Sequence, residues 1–236
     1  IDLDAARSHG VKVISIKTEM DVLKNVTSTA DLALTLALTG IRKSFESSND
    51  FFNQGMWDFE RYIGKQVKDL RVCVFGYGRL GKMFAKYLSD LGAFVKIVDP
   101  NLSLDFETTI ENIYSQLHEF DLISLHVHAE GNQGFFSDEF FKKLRDDVVL
   151  VNTSRGEIID QLACFRFLRE NPAARYMTDV IENEHSKESR NLFIDFYNKN
   201  HNLIVTQHIG GMSTGARKLA FGKGVEKLLE IVKNDE

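Results

Sequence analysis

The chain has 236 residues, 43% hydrophobic and 27% charged, with a formal net charge of −5 at neutral pH. That balance suits a folded globular protein with a substantial core and argues against nucleic acid or an anionic membrane surface as partner, since both call for a basic face. Its longest apolar tract, Leu32–Leu38, is too short to span a bilayer, and Cys73 and Cys164 lack the spacing of a metal or disulfide set, so no metal is expected and they read as reduced residues of a cytoplasmic protein.

Asp4–His9 reads as the end of a helix stopped by Gly10, and Val11–Ile16 as a strand. Cap candidates Thr27, Ser28 and Thr29 then precede an alanine- and leucine-rich stretch, Ala30–Phe45, that predicts a long amphipathic helix. Glu46–Lys68 is polar with interleaved aromatics (Phe51, Phe52, Trp57, Phe59, Tyr62). It reads as a packed connecting arm whose aromatics form contact surface.

The informative stretch is Arg71–Pro100. An apolar run, Val72–Phe75, breaks into Gly76-Tyr77-Gly78-Arg79-Leu80-Gly81. A helical pattern follows, then a second apolar run, Phe94–Val98, that closes on Asp99. Strand, glycine turn, helix and strand, with an acid about 20 residues beyond the glycines, form a dinucleotide-binding fingerprint. Gly76 permits the tight turn, Gly78 lets backbone approach a pyrophosphate, and Gly81 lets the helix sit against the strand. The helix N-terminus presents free N–H groups and a positive dipole end to the phosphates. Asp99 suits the two ribose hydroxyls and repels a 2′-phosphate, which favours NAD over NADP.

Helical patterns at Thr108–Leu117, Ser137–Leu144, Asp160–Arg169 and Glu188–Tyr197 alternate with strand patterns at Asp121–His126, Val148–Val151, Arg175–Val180 and Leu203–Thr206. A long helix starting at Met212 or Ser213 ends near Val232. This alternation predicts an α/β fold with a parallel sheet covered on both faces, whose ligand sits beyond the carboxyl ends of the strands. Those ends carry His126-Val127-His128, then Asn152-Thr153-Ser154-Arg155-Gly156, then Asp179 with Glu184 after it, then Gln207-His208-Ile209-Gly210-Gly211. One histidine or arginine beside a strand is usually structural. An arginine, a carboxylate and a histidine on one rim suit carbonyl reduction and its reverse. Arg155 can hold a 2-keto carboxylate by a bidentate fork, and His208 can exchange a proton with the alkoxide. Glu184 can orient the imidazole and favour its protonated form.

These motifs (GYGRLG with Asp99, NTSRG, DVIENE and HIGG) resemble the D-isomer-specific 2-hydroxyacid dehydrogenase family over essentially the whole chain. The resemblance implies a Rossmann-type doubly wound NAD-binding domain at 28–212. Residues 1–27 and the helix at 213–236 would be the remnant of a flavodoxin-like substrate domain. Arg155, Glu184 and His208 take the catalytic positions. Cofactor contacts fall on Gly76, Tyr77, Gly78, Arg79, Leu80 and Gly81, on Asp99 and Pro100, and on His126, Val127 and His128. They continue over Thr153, Ser154 and Arg155 to Asp179, His208, Gly210 and Gly211 beside the nicotinamide. HIGG followed by Ser213-Thr214 is most similar to the phosphoglycerate dehydrogenase branch.

Departures are His128 and Gln207 where the family usually has proline, Ala129–Gln133 without its threonine, His185 for proline and Asp31 for glutamate. Most of the family's N-terminal substrate lobe is not represented before Ile1, so the chain is expected to bind NAD better than it catalyses. A small 2-hydroxy or 2-keto acid substrate and a homodimer through the arm near Gly55–Tyr62 are further implied. The alternative on the same fold is a non-enzymatic, NAD-binding regulator similar to the C-terminal-binding-protein co-repressors.

Overall fold

The computed structural model describes residues 2–101 and 110–234. Thr108 and Thr109, where the sequence pattern starts a helix, lie outside the described residues. The chain divides into two compact units, Thr29–Gly210 and a smaller one joining Ile1–Ser28 to Gly211–Glu236.

In the smaller unit, α1 (Leu3–Ser8) is capped by the Asp2 carboxylate, which accepts the N–H groups of Asp4 and Ala5. The helix stops where Gly10 takes a φ of 67°. Val11–Ile16 is not a strand. It runs irregularly because no described segment pairs with it, and a strand without a ladder has nothing to hold it extended. After α2 (Met20–Leu23) the unit is completed by the C-terminal helix Thr214–Asn234, whose Lys227 Nζ reaches Glu19 at 2.7 Å and the Ser15 carbonyl at 2.9 Å.

The larger unit begins with α3 (Ser28–Arg42), which ends at Arg42 rather than Phe45 because Lys43 adopts a left-handed φ of 53°. A second helix, α4 (Ser44–Gln54), starts at once, so the first part of the expected arm is helical. Its serines and asparagines are indifferent helix formers, and tertiary contacts decide instead. Glu46 pairs with Arg175 across 2.5 Å, both side chains largely buried, and the Tyr62 hydroxyl donates to Asp50 at 2.6 Å.

Then comes the alternation: β1 (Arg71–Phe75), α5 (Arg79–Asp90), β2 (Phe94–Val98), α6 (Ile110–Gln116) and β3 (Leu122–Leu125). It continues through α7 (Asp138–Phe141), β4 (Val149–Asn152), α8 (Gln161–Glu170), β5 (Arg175–Thr178), α9 (Lys187–Asn200) and β6 (Leu203–Val205). All six strands pair in parallel in the order β2-β1-β3-β4-β5-β6. Side chains alternate across the sheet. Val72 and Val74 join Phe84 and Leu88 of α5 and Leu36 of α3 in one core. Cys73 and Phe75 join Ile113, Phe140, Phe165 and Phe193 in the other. Both faces are therefore covered, which is why the strands read as unbroken apolar runs. Strand β1 is flanked by β2 on one side and β3 on the other, so the connections diverge there and open a crevice at the glycine turn.

At the opposite, amino-terminal edge the buried Asp121 ties three segments together. Its Oδ1 accepts from Lys65 Nζ at 2.5 Å and Arg145 Nη1 at 2.6 Å, and its Oδ2 from the Arg71 N–H at 2.8 Å. Asp121→Asn leaves two cations facing a neutral amide, and a loss of roughly 2 kcal/mol is expected. A urea midpoint equal to that of the wild type would show that these contacts contribute no net stability.

Candidate active site at the carboxyl edge of the sheet

Parallel pairing delivers every strand to one edge with its carboxyl end outward, and each candidate residue sits just past such an end. At β1, Gly76 has a φ of 90°, and a Cβ there would meet the His126 carbonyl oxygen at 2.5 Å. A Cβ on Gly81 would sit 2.0 Å from the Gly76 carbonyl oxygen, so turn and helix close only on hydrogen. Gly78, the N-cap of α5, faces open space instead, with nothing within 4 Å of an added Cβ. Arg79 and Leu80 open the helix half-buried, and desolvation pulls the Arg79 guanidinium below its ordinary value. Beyond β2 the Asp99 carboxylate accepts the Tyr77 N–H at 2.6 Å and the Asn101 N–H at 2.9 Å. Acid and glycine turn are thus held as one piece, with Pro100 exposed beside them.

Past β3 the three residues diverge. The His126 ring turns inward, bonded to the Ser124 hydroxyl at 2.9 Å and 5.1 Å from the Phe84 ring. Burial pushes its imidazole down to about 4, so it is neutral at physiological pH. Its carbonyl faces the turn at Gly76, and its Cβ lies beside Gly81. Val127 packs on the core, and His128 is exposed with its carbonyl accepting from Asn132.

Past β4, the buried Asn152 builds the turn that carries Arg155. Its Nδ2 donates to the Arg155 carbonyl at 2.9 Å and to the Tyr176 hydroxyl at 3.3 Å. Its Oδ1 accepts from the Ser154 N–H at 3.0 Å and the Ser154 hydroxyl at 2.9 Å. Burial pushes the Tyr176 phenol up and keeps it neutral. The Thr153 hydroxyl is buried without a partner among the described residues. Arg155 itself is exposed; its Nη1 donates to the Ser154 carbonyl at 2.6 Å, and no carboxylate pairs with it among the described residues. Gly156, next in line, lies hard against the backbone of Ile181 and Glu182.

Past β5 and β6 lies the acid–histidine pair. His208 Nδ1 is 2.8 Å and 2.9 Å from the two Glu184 carboxylate oxygens, which leaves Nε2 facing away from the carboxylate. Arg190 holds the Glu184 carbonyl at 2.8 Å, after a left-handed turn at Asn183. Asp179 is 1% exposed, and both its oxygens serve the next loop. Oδ1 accepts from the Thr206 hydroxyl at 2.5 Å and the Ile209 N–H at 2.8 Å, and Oδ2 from the Gly210 N–H at 2.7 Å. These bonds, with the His208 N–H on the Asp179 carbonyl at 2.9 Å, hold His208 at its left-handed φ of 54°. In this structure Asp179 builds the loop that presents the histidine, and Gly211 falls in the other compact unit.

Arg155, Glu184 and His208 line one cleft of about 460 Å³, together with Gly156, Glu157 and Asn183. The glycine turn and Asp99 lie on the same edge, toward β1 and β2, and do not line it. The sequence pattern points to no role for Asn183 or Arg190 and to none directly for Asn152. Only Asn152 carried a signal, as a polar residue ending an otherwise apolar strand. No group of histidine, cysteine and acidic side chains suited to a metal ion occurs among the described residues, and no helix there is long and apolar enough to cross a membrane.

The chloroplastic D-3-phosphoglycerate dehydrogenase 2 of Arabidopsis thaliana is 27% identical over 92% of this chain, which spans 34% of that protein. The D-lactate dehydrogenase of Lactobacillus delbrueckii subsp. bulgaricus is 31% identical over 74% of the chain, which covers 56% of it. Among solved structures, a D-lactate dehydrogenase from Aquifex aeolicus complexed with NAD and lactic acid superposes with a TM-score of 0.82. It is 22% identical and covers all of this chain, which accounts for 73% of it. The chain thus spans less than two thirds of the curated relatives named here. Residues 34–210 match the model of the D-isomer specific 2-hydroxyacid dehydrogenase NAD-binding domain, three quarters of the sequence and every strand of the sheet, so the chain belongs to that family.

Proposed function

We propose that this chain is the NAD-binding part of an oxidoreductase that interconverts a D-2-hydroxy acid and its 2-keto acid. The observation that carries the reading is the single cleft lined by Arg155, Glu184 and His208, with Glu184 on Nδ1 of the histidine. NAD fits the residues present: Gly78 leaves open space before the N-terminus of a 12-residue helix, and the buried Thr153 hydroxyl lacks a partner among the described residues. Gly76 to Gly81 would hold the pyrophosphate and Asp99 the ribose hydroxyls. The bound cofactor supplies or accepts the hydride. Arg155 grips the substrate carboxylate through its guanidinium, which has no carboxylate partner among the described residues. The protonated His208 donates from Nε2 to the carbonyl oxygen as the alcohol forms and takes that proton back in oxidation, while Glu184 stabilises the imidazolium. Screening 2-keto acids by loss of NADH absorbance tests this. NADH binding without turnover of any of them would favour a regulatory role instead.

Asp99→Ala should weaken NAD about tenfold and narrow its preference over NADP. Asp99→Asn separates the two duties of this residue, since an amide keeps an acceptor for the Tyr77 N–H but removes the charge facing a 2′-phosphate. Fluorescence titrations giving wild-type NAD affinity for both variants would remove the ribose role.

The smaller unit is assigned to the substrate-binding lobe. Its C-terminal helix exposes Phe221, Val225, Leu228 and Val232 along one face, a stripe that suits packing against further protein. A homodimer is proposed through the arm, where Phe52, Trp57 and Phe59 are 80%, 86% and 78% exposed. Light scattering should return twice the chain mass of 26.9 kDa, and a monomer mass would refute it.

A further inference from the structure

We propose that Asn152 is a positioning residue for this site: its buried amide sets the turn that aims Arg155 at the substrate carboxylate. The inference rests on the dehydrogenase reading and adds a residue to it. Strand β4 otherwise runs Val149-Leu150-Val151, all buried, and Asn152 ends it with no exposure at all. An amide sealed among apolar neighbours is costly unless each of its polar positions finds a partner. Here all four do. The two N–H groups go to the Arg155 carbonyl at 2.9 Å and the Tyr176 hydroxyl at 3.3 Å. The carbonyl oxygen accepts from the Ser154 N–H at 3.0 Å and the Ser154 hydroxyl at 2.9 Å.

Three of those four bonds go to Ser154 and Arg155, so the amide acts on one short turn. The turn passes its geometry on: Arg155 is exposed, and its Nη1 donates to the Ser154 carbonyl at 2.6 Å. The guanidinium is thus keyed to a residue whose N–H and hydroxyl are both held by Asn152. The main chain of Asn152 reaches the other way. Its carbonyl accepts the Asp179 N–H at 3.0 Å and the Thr178 hydroxyl at 3.2 Å. Asp179 in turn holds the loop that presents His208. One residue therefore fixes the Arg155 turn against the strand end that supports the histidine. A two-pronged grip on a carboxylate is sensitive to shifts of well under 1 Å, and an aliphatic side chain at this position would leave the turn without these partners.

The test is steady-state reduction by the intact protein at saturating NADH, using hydroxypyruvate, pyruvate and phosphohydroxypyruvate and read on the acid that the wild type reduces fastest. Asn152→Ala should raise KM about tenfold with kcat within about threefold, the pattern of a weakened grip on the substrate. Asn152→Ser is read in the same way should the alanine variant not fold. Asp121→Asn, at the amino-terminal edge, is the comparison: it lowers the thermal midpoint without touching the turn and should leave KM within about twofold. A KM within about twofold of the wild type in the Asn152 variant overturns the proposal, and so does a loss confined to kcat. An equal rise in Asp121→Asn overturns it too, since KM would then follow stability alone. So does failure of both Asn152 variants to fold, which makes the amide structural only. Those outcomes leave the dehydrogenase reading standing. A wild type that binds NADH yet reduces none of the three acids overturns both.

Discussion

His208→Asn is expected to lower turnover by about 10²–10⁴-fold while leaving NADH affinity within a factor of about two. Asparagine is the informative replacement because His208 sits at a φ of 54°, a conformation asparagine tolerates and alanine does not. Loss of the acid is then separated from strain in the loop that Asp179 organises. Glu184→Gln should cost less, roughly 10-fold to 100-fold. An amide beside Nδ1 orients the ring less firmly than the carboxylate that now holds it at 2.8 Å. Single-turnover absorbance with bound NADH isolates the chemical step. His208→Asn turning over at the wild-type rate would remove the histidine from acid–base work and leave Arg155 to polarise the carbonyl alone.

Much of this site was legible because its logic is local. A glycine turn is specified by residues within one strand–helix unit, and so is the acid that follows the next strand, here bonded to the turn at 2.6 Å. Parallel strands buried on both faces announce themselves as apolar runs, and the chemistry collects just beyond them. What sequence could not give is set by contacts distant along the chain. The helix at Ser44–Gln54 depends on Arg175, 129 residues away. The strand expected at Val11–Ile16 had the right residues and no neighbour to pair with among the described residues. The role of Asp179 follows from bonds to Thr206, Ile209 and Gly210, and nothing within four residues of it signals that use. His126 reads as a cofactor contact by position, yet the ring is taken up by Ser124 and Phe84.

Gly156→Ala should produce the second large loss, about 10²-fold in kcat/KM together with roughly 2–3 kcal/mol of stability. No left-handed backbone is involved at this position; the obstacle is space. A Cβ on Gly156 would lie 2.0 Å from the Ile181 carbonyl carbon and 2.1 Å from the Glu182 nitrogen. Both are backbone atoms, so relief demands that the segment after β5 move by about 1 Å or more. That segment carries Glu184, and through it the orientation of His208, while Arg155 precedes Gly156 directly. One methyl group thus drives apart the residues meant to grip a single small molecule, which is where proximity effects are steepest. NADH affinity should fall less than kcat/KM, because the glycine turn lies two strands away across β3. Gly222→Ala in the C-terminal helix is the matched control, with nothing within 4 Å of its added Cβ, and it should be neutral or slightly stabilising. If Gly156→Ala unfolds and turns over like the wild type, the close approach of the β4 and β5 loops does not set the distance between Arg155 and Glu184, and the cleft is assembled by other contacts.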